Sequence, residues 1–289
     1  MLEFDVTLFH WINGLAGTMV LNRIFALDEA FRFLKGGAFL AMYWYFWFRD
    51  GPQQNEDRRT IVAVLAGSVV AILVNRVVSM AAPFRLRPMY DPTSGWIPPQ
   101  IVLDLNLDHW SAFPSDTASF FVALAFGLWF LSRPAALIAL PITVLLVLLP
   151  RVFFGFHYPG DIVAGSLIAV TAVLLSLRFG GRALGELMLI VERRQRGPFY
   201  AFFFLLSYEM GITFENVRKL VIGVAKALAR KSSTLEVALI TVLIVGIGAA
   251  AGLFLGMIWR AWSQERADVN WRRESDSAQV PRRDPTFDH

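Results

Sequence analysis

The chain has 289 residues, 56% of them hydrophobic, and a mean hydropathy of +0.51; an ordinary soluble domain carries roughly 45–50% apolar residues. It contains no cysteine, which excludes disulfides, thiolate nucleophiles and cysteine-ligated metals. The formal charge of +4 comes from arginines clustered at the ends of apolar runs, a pattern suited to lipid headgroups and not to nucleic acid.

A spanning helix needs about 20 mostly apolar residues. The first residues include Glu3 and Asp5 and lack the basic start of a signal peptide, so the first true span is expected to direct insertion. Phe4, Leu8, Trp11, Ile12 and Leu15 follow helical spacing over a run too short to span. Residues 1–23 are therefore expected to form an amphipathic segment lying in the membrane interface. The first span is predicted at 24–48. Asp28, Glu29, Arg32 and Lys35 make its first half too polar for lipid contact, and Tyr43 to Trp47 form an aromatic belt at its end. A second span is predicted at 60–82, followed by a long Pro- and Gly-containing loop, 83–113.

The third span starts at Ser115 and ends before Pro134; the fourth, 135–154, contains Pro141, which should kink it. The fifth begins at Pro159, a favoured first-turn position for proline. Residues 181–235 are basic and amphipathic and are expected at the interface. A sixth, C-terminal span is expected over 236–260, where Gly248, Gly252 and Gly256 would let another helix approach, from this chain's own core or from a second copy in a homo-oligomer. The charged tail, 261–289, is expected to be disordered. The fold class is thus an all-α integral membrane protein with a five-helix core over 24–180.

Arg49, Arg58, Arg59, Arg133, Arg178, Arg182, Arg193, Arg194 and Arg196 fall on one side of a five-span arrangement, which the positive-inside rule makes cytoplasmic. In a bacterial inner membrane the loops 83–113 and 155–158 would then face the periplasm. A fully crossing sixth span would put Arg260, Arg266, Arg272 and Arg273 on that side too, so the location of the C-terminus stays open.

Those opposite loops hold Arg85, Arg87, Asp104, Asp108, His109, Ser115 and Asp116, and then Arg151, His157 and Asp161. Ionisable residues at span ends are costly unless they face water or one another, and they mark functional sites. His157 and Asp161 are spaced i and i+4, so they share a face if a helix begins near Tyr158. A carboxylate accepting one ring N–H fixes the tautomer and leaves the other nitrogen free to attack. The guanidinium fork of Arg151, and of Arg87, suits two phosphate oxygens at once. Ser115 stands where a helix N-terminus would offer free N–H groups to an anion. The parts add up to a phosphate pocket with a histidine nucleophile and no metal or cofactor.

These segments resemble the three motifs of the type 2 phosphatidic acid phosphatase superfamily, which also includes vanadium haloperoxidases. The third motif, S-R-x5-H-x3-D, is matched from Pro150-Arg151 through His157 to Asp161, with only its serine replaced. The second, P-S-x-H, stands as Pro114-Ser115-Asp116-Thr117; the first, K-x6-R-P, ends at Arg87-Pro88 and places Met80 at the lysine. The resemblance spans about residues 7–177. It implies a membrane lipid phosphatase in which His157 attacks phosphorus, Asp161 orients it, and Arg87, Arg151 and the Ser115 segment hold the phosphoryl oxygens.

Two departures matter. Thr117 replaces the histidine that protonates the leaving group, and Met80 removes a phosphate-binding cation. Arg85 or Arg76 could supply the missing charge, and His109 the missing acid; Asp116 is otherwise a helix-start carboxylate favoured by the dipole. An alcohol leaving group needs a proton more than a phosphate leaving group does, because phosphate has a second pKa of about 6. A polyprenyl diphosphate such as undecaprenyl diphosphate is therefore the expected substrate. The alternative is a catalytically impaired member that binds a lipid phosphate or a partner protein.

Overall fold

The computed structural model describes residues 3–30, 32–99, 110–214, 252 and 255–272, without the side chains of 26–34. All regular structure among the described residues is helical. Three helices are long and apolar enough to cross a membrane: α4 (Gln54–Ala81), the continuous helix Arg133–Phe153, and α8 (Pro159–Phe179). The protein is an all-α membrane protein. Exposed Leu73, Val77, Leu137, Ile138, Val163 and Leu167 on these helices form an apolar exterior that a bilayer covers. The described residues fall into two compact units, one from Met1–Glu186 with the stretch beginning at Leu205, the other from Leu187–Phe204 with the helix 255–272.

In the first unit, α1 (Glu3–Asn13) precedes α2 (Met19–Ala30) and α3 (Arg32–Phe48), which cover the predicted first span. The side chains of Asp28, Glu29 and Arg32 lie outside the described residues. Phe4, Trp11 and Leu15 of the N-terminal segment point outward, but its opposite face, Asp5, Phe9, Ile12 and Asn13, is buried against protein. Asn13 Nδ2 donates to the carbonyls of Phe153 and Ile97, both at 3.0 Å. The segment is thus part of the folded core and not only an interfacial strip.

The helix α5 (Asp116–Gly127) is capped by Ser115, whose Oγ accepts from the Ala118 N–H at 3.4 Å. In the next apolar helix, α6 (Arg133–Ile142) passes through a π turn, Thr143–Leu148, into α7 (Leu149–Phe153). Pro141 and Pro150 each remove an i→i−4 donor, and the wider turn between them accommodates that loss. The packing of α4, α5 and α8 is close where side chains are small. A Cβ at Gly165 of α8 would lie 2.5 Å from the Ser115 carbonyl oxygen and 3.1 Å from Ser119 Oγ. Asn75 of α4 donates through Nδ2 to the Pro114 carbonyl (3.1 Å) and to Asp116 Oδ1 (2.5 Å), tying the end of α4 to the start of α5.

In the second unit, Tyr200 Oη donates to Glu192 Oε1 (3.1 Å) and Arg194 pairs with Glu265 (3.0 Å) and Asp268. The helix 255–272 runs through residues expected to be disordered. The Arg194 pairs and the Arg266 guanidinium 3.8 Å over the Trp262 ring, one helical turn away, give that stretch partners the tail's composition did not reveal. Gly248 and most of the predicted sixth span lie outside the described residues. At Gly252 and Gly256 no heavy atom lies within 4 Å of where a Cβ would sit.

Candidate active site

Four chain segments meet at one end of the first unit: the loop after α4, the approach to α5, the end of α7 and the start of α8. Gly155 locks two of them together. Its φ of +73° is a left-handed conformation that favours glycine, its carbonyl accepts from the Met89 N–H at 3.0 Å, and a Cβ there would sit 2.6 Å from Trp96 Nε1. The loop bearing Arg87 is thereby held against the loop bearing His157.

His157 is 5% exposed. Its Nδ1 lies 2.8 Å from the Ala112 carbonyl oxygen, which can only accept, so Nδ1 carries the proton and Nε2 presents a lone pair. Arg87 Nη1 lies 3.3 Å from that Nε2 and donates to the Phe156 carbonyl at 2.8 Å. Burial first, then the charges of Arg87 and Arg151, hold the His157 pKa well below the ordinary 6.5, so the ring is neutral at physiological pH. Burial and the neighbouring Arg151 lower the Arg87 pKa to about 10, which leaves it charged at neutral pH. Arg87 Nε is buried with no hydrogen-bond partner among the described residues, a donor that an anion could satisfy.

The structure changes the expected role of two residues. Asp161 does not hydrogen-bond to His157; its Oδ2 stands 3.9 Å from Nδ1 and accepts from the Tyr158 N–H at 2.8 Å. The Ala112 carbonyl, a backbone group with no motif of its own, orients the ring instead. Arg85 does not reach for phosphate either. Its Nη1 pairs with Asp161 Oδ1 at 2.6 Å, its Nη2 pairs with Asp5 Oδ2 at 2.5 Å, and its guanidinium lies 4.3 Å over the Tyr158 ring.

The remaining candidates are placed as follows. Arg151 ends its helix with its guanidinium 5.5 Å from the Phe156 ring centre, and its carbonyl accepts from the N–H groups of Phe156 (2.9 Å) and His157 (3.2 Å). The Ser115 side chain caps α5 and its N–H donates to the Asp161 carbonyl at 3.0 Å. The first-turn N–H groups of Asp116 and Thr117, which lack intrahelical acceptors by construction, are left to meet an anion. Asp116 pairs with Arg76, whose guanidinium lies 4.5 Å over the Trp110 ring. Thr117 is half-buried one residue further along. Met80 is 86% exposed and adds no charge. His109, Asp104 and Asp108 lie outside the described residues.

Sequence reasoning missed Asp5. It is 5% exposed, pairs with Arg85, and accepts from the Gly160 N–H at 2.6 Å. The spacing of Asp5, Phe9, Ile12, Asn13 and Ala16 traces a second face on the N-terminal segment, and that spacing is the signal that could have found it.

A family model described as PAP2 superfamily matches residues 81–184. This segment is a PAP2 superfamily domain. The PAP2 domain holds Arg85, Arg87, Ala112, Ser115, Arg151, His157 and Asp161, whereas Asp5, Asn75 and Arg76 lie before it. Membership carries phosphatase-type activity in general. No curated protein and no solved structure matches the chain.

Proposed function

We propose that this protein hydrolyses a lipid diphosphate, with undecaprenyl diphosphate as the best candidate, through a phosphohistidine on His157. The observation that carries the reading is the His157 ring itself: buried, neutral, with Nδ1 held by the Ala112 carbonyl and Nε2 facing the Arg87 guanidinium. A bare imidazole nitrogen beside a buried cation is placed to attack phosphorus while the cation takes up charge on the phosphoryl oxygens.

The step runs as an in-line displacement. Nε2 forms a bond to the terminal phosphorus, the bond to the bridging oxygen breaks, and the lipid monophosphate leaves with that electron pair. Arg87, Arg151 and the N-terminus of α5 stabilise the equatorial oxygens. Water then cleaves the N–P bond and releases inorganic phosphate. Thr117 supplies no useful acid near neutral pH, which favours a leaving group that needs little protonation. The apolar exterior beside the site fits a substrate delivered from the bilayer, and the arginine distribution fits a site on the periplasmic side of a bacterial inner membrane.

Initial rates on matched lipids test the substrate. Undecaprenyl diphosphate is expected to be cleaved faster than undecaprenyl monophosphate or phosphatidate; faster monophosphate cleavage overturns the assignment. Rapid acid-free quenching with terminally labelled substrate is expected to trap an acid-labile phosphoprotein that is missing from His157→Ala.

A further inference from the structure

The carboxylate of Asp5 reaches the site from outside the PAP2 domain and makes two contacts there. One is the 2.5 Å pair with Arg85 Nη2; the other is the 2.6 Å acceptance from the Gly160 N–H in the first turn of α8. Arg85 is the link onward, since its Nη1 holds Asp161 Oδ1. The cation is therefore shared by two carboxylates, with the Tyr158 ring beneath it and the Tyr158 hydroxyl donating to Asp91 Oδ2 at 3.0 Å. Burying a carboxylate in an apolar N-terminal helix is costly unless it is paired, and here both oxygens are used.

We infer that Asp5 is a positioning residue for His157, acting through Arg85 on Asp161. The inference rests on the proposed phosphohistidine chemistry. When Nε2 bonds to phosphorus, the neutral ring becomes cationic. Asp161 Oδ2, 3.9 Å from Nδ1, is the anion placed to stabilise that charge. Arg85 opposes this by neutralising Asp161, and Asp5 draws part of the cation's field onto itself. With Asp5 uncharged, Arg85 belongs wholly to Asp161 and the ring cation loses its counter-charge. Substrate binding to the neutral ring is unaffected by that loss; the transition state is not.

Asp5→Asn keeps an acceptor for the Gly160 N–H and removes only the charge. Its kcat is expected to fall about tenfold with KM within about twofold of wild type. In an Arg85→Gln background the same substitution is expected to change kcat by less than about twofold, because the link is already gone. Binding gives a readout that needs no turnover. Orthovanadate, which mimics five-coordinate phosphorus, should bind Asp5→Asn about tenfold more weakly, while inorganic phosphate binds as to wild type. A purely structural Asp5 would give equal losses in both backgrounds, or a raised KM, or weaker binding of both anions; any of these overturns the inference, as does an unchanged kcat. If Asp5→Asn does not fold, Asp5→Ser carries the same expectations. Phosphate release that survives His157→Ala would overturn the proposed function, whereas release abolished by His157→Ala but indifferent to Asp5 would overturn only this inference.

Discussion

His157 carries the chemistry because its surroundings remove its charge. A buried imidazole next to two arginines stays neutral and its Nε2 stays nucleophilic, while an exposed one would be partly protonated near its ordinary pKa of about 6.5. The same shift has a stability consequence. Between the ordinary value and the lowered folded value, the unfolded chain binds more protons than the folded one, so stability falls as pH drops below about 6.5. Thermal unfolding in detergent at pH 7.5 and 5.5 is expected to show that loss in the wild type and a smaller one in His157→Gln. Arg87 has the complementary task. With one N–H on the Phe156 carbonyl, one facing the histidine and Nε unsatisfied, it is built to meet an anion. Arg87→Ala is expected to lower kcat/KM by about 10²–10³, as the loss of an oxyanion-type donor does; a drop below tenfold would remove Arg87 from the transition state.

At the scale of elements, the site exists because α5 and α8 begin at the same end and cross closely. Gly165 permits that crossing, and the Ser115 N–H to Asp161 carbonyl bond records it. Gly165→Ala is expected to destabilise the protein by about 1–3 kcal/mol and to lower kcat, read by thermal unfolding and phosphate release; a fully stable, fully active variant would contradict the packing. Much of this was legible in the sequence. Ser115, Pro159 and the runs of apolar residues mark helix starts and spans, so α4, α5, the helix Arg133–Phe153 and α8 fall close to their predicted ranges. The pairing of His157 with Asp161 was not, because i,i+4 spacing puts two residues on one face but does not choose their hydrogen bonds. The Ala112 carbonyl won the histidine, and a backbone oxygen leaves no trace in residue identity. Arg85 and Arg87 have the same side chain and alternate in one loop; only the third dimension assigns one to carboxylates and the other to the pocket. Asp5 lay hidden because the outward face of its helix, Phe4 and Trp11, gave a sufficient account of the segment.

For the whole molecule, the claim is that the phosphate pocket and the basic loops lie on opposite sides of one membrane. α4 runs between them: Arg49 pairs with Asp57 near its start at 2.7 Å, and Arg76 pairs with Asp116 near its end. The absence of cysteine makes the orientation easy to read. Thr93 and Gln53 are both exposed, one in the loop beside the site and the other at the start of α4. A membrane-impermeant maleimide on intact spheroplasts is expected to label Thr93→Cys and to spare Gln53→Cys until the membrane is broken; the reverse pattern would place the site in the cytoplasm.

The central claim is that His157 is a nucleophile toward a lipid diphosphate in a pocket that works without an acidic second-motif histidine. Phosphate release from undecaprenyl diphosphate by the purified full chain in detergent, beside His157→Ala, tests it most directly. Release by the wild type that the substitution abolishes is the expected result. No release by the wild type, from this lipid or from a panel of phosphatidates, would contradict it and leave a PAP2 domain that binds lipid phosphate without cleaving it.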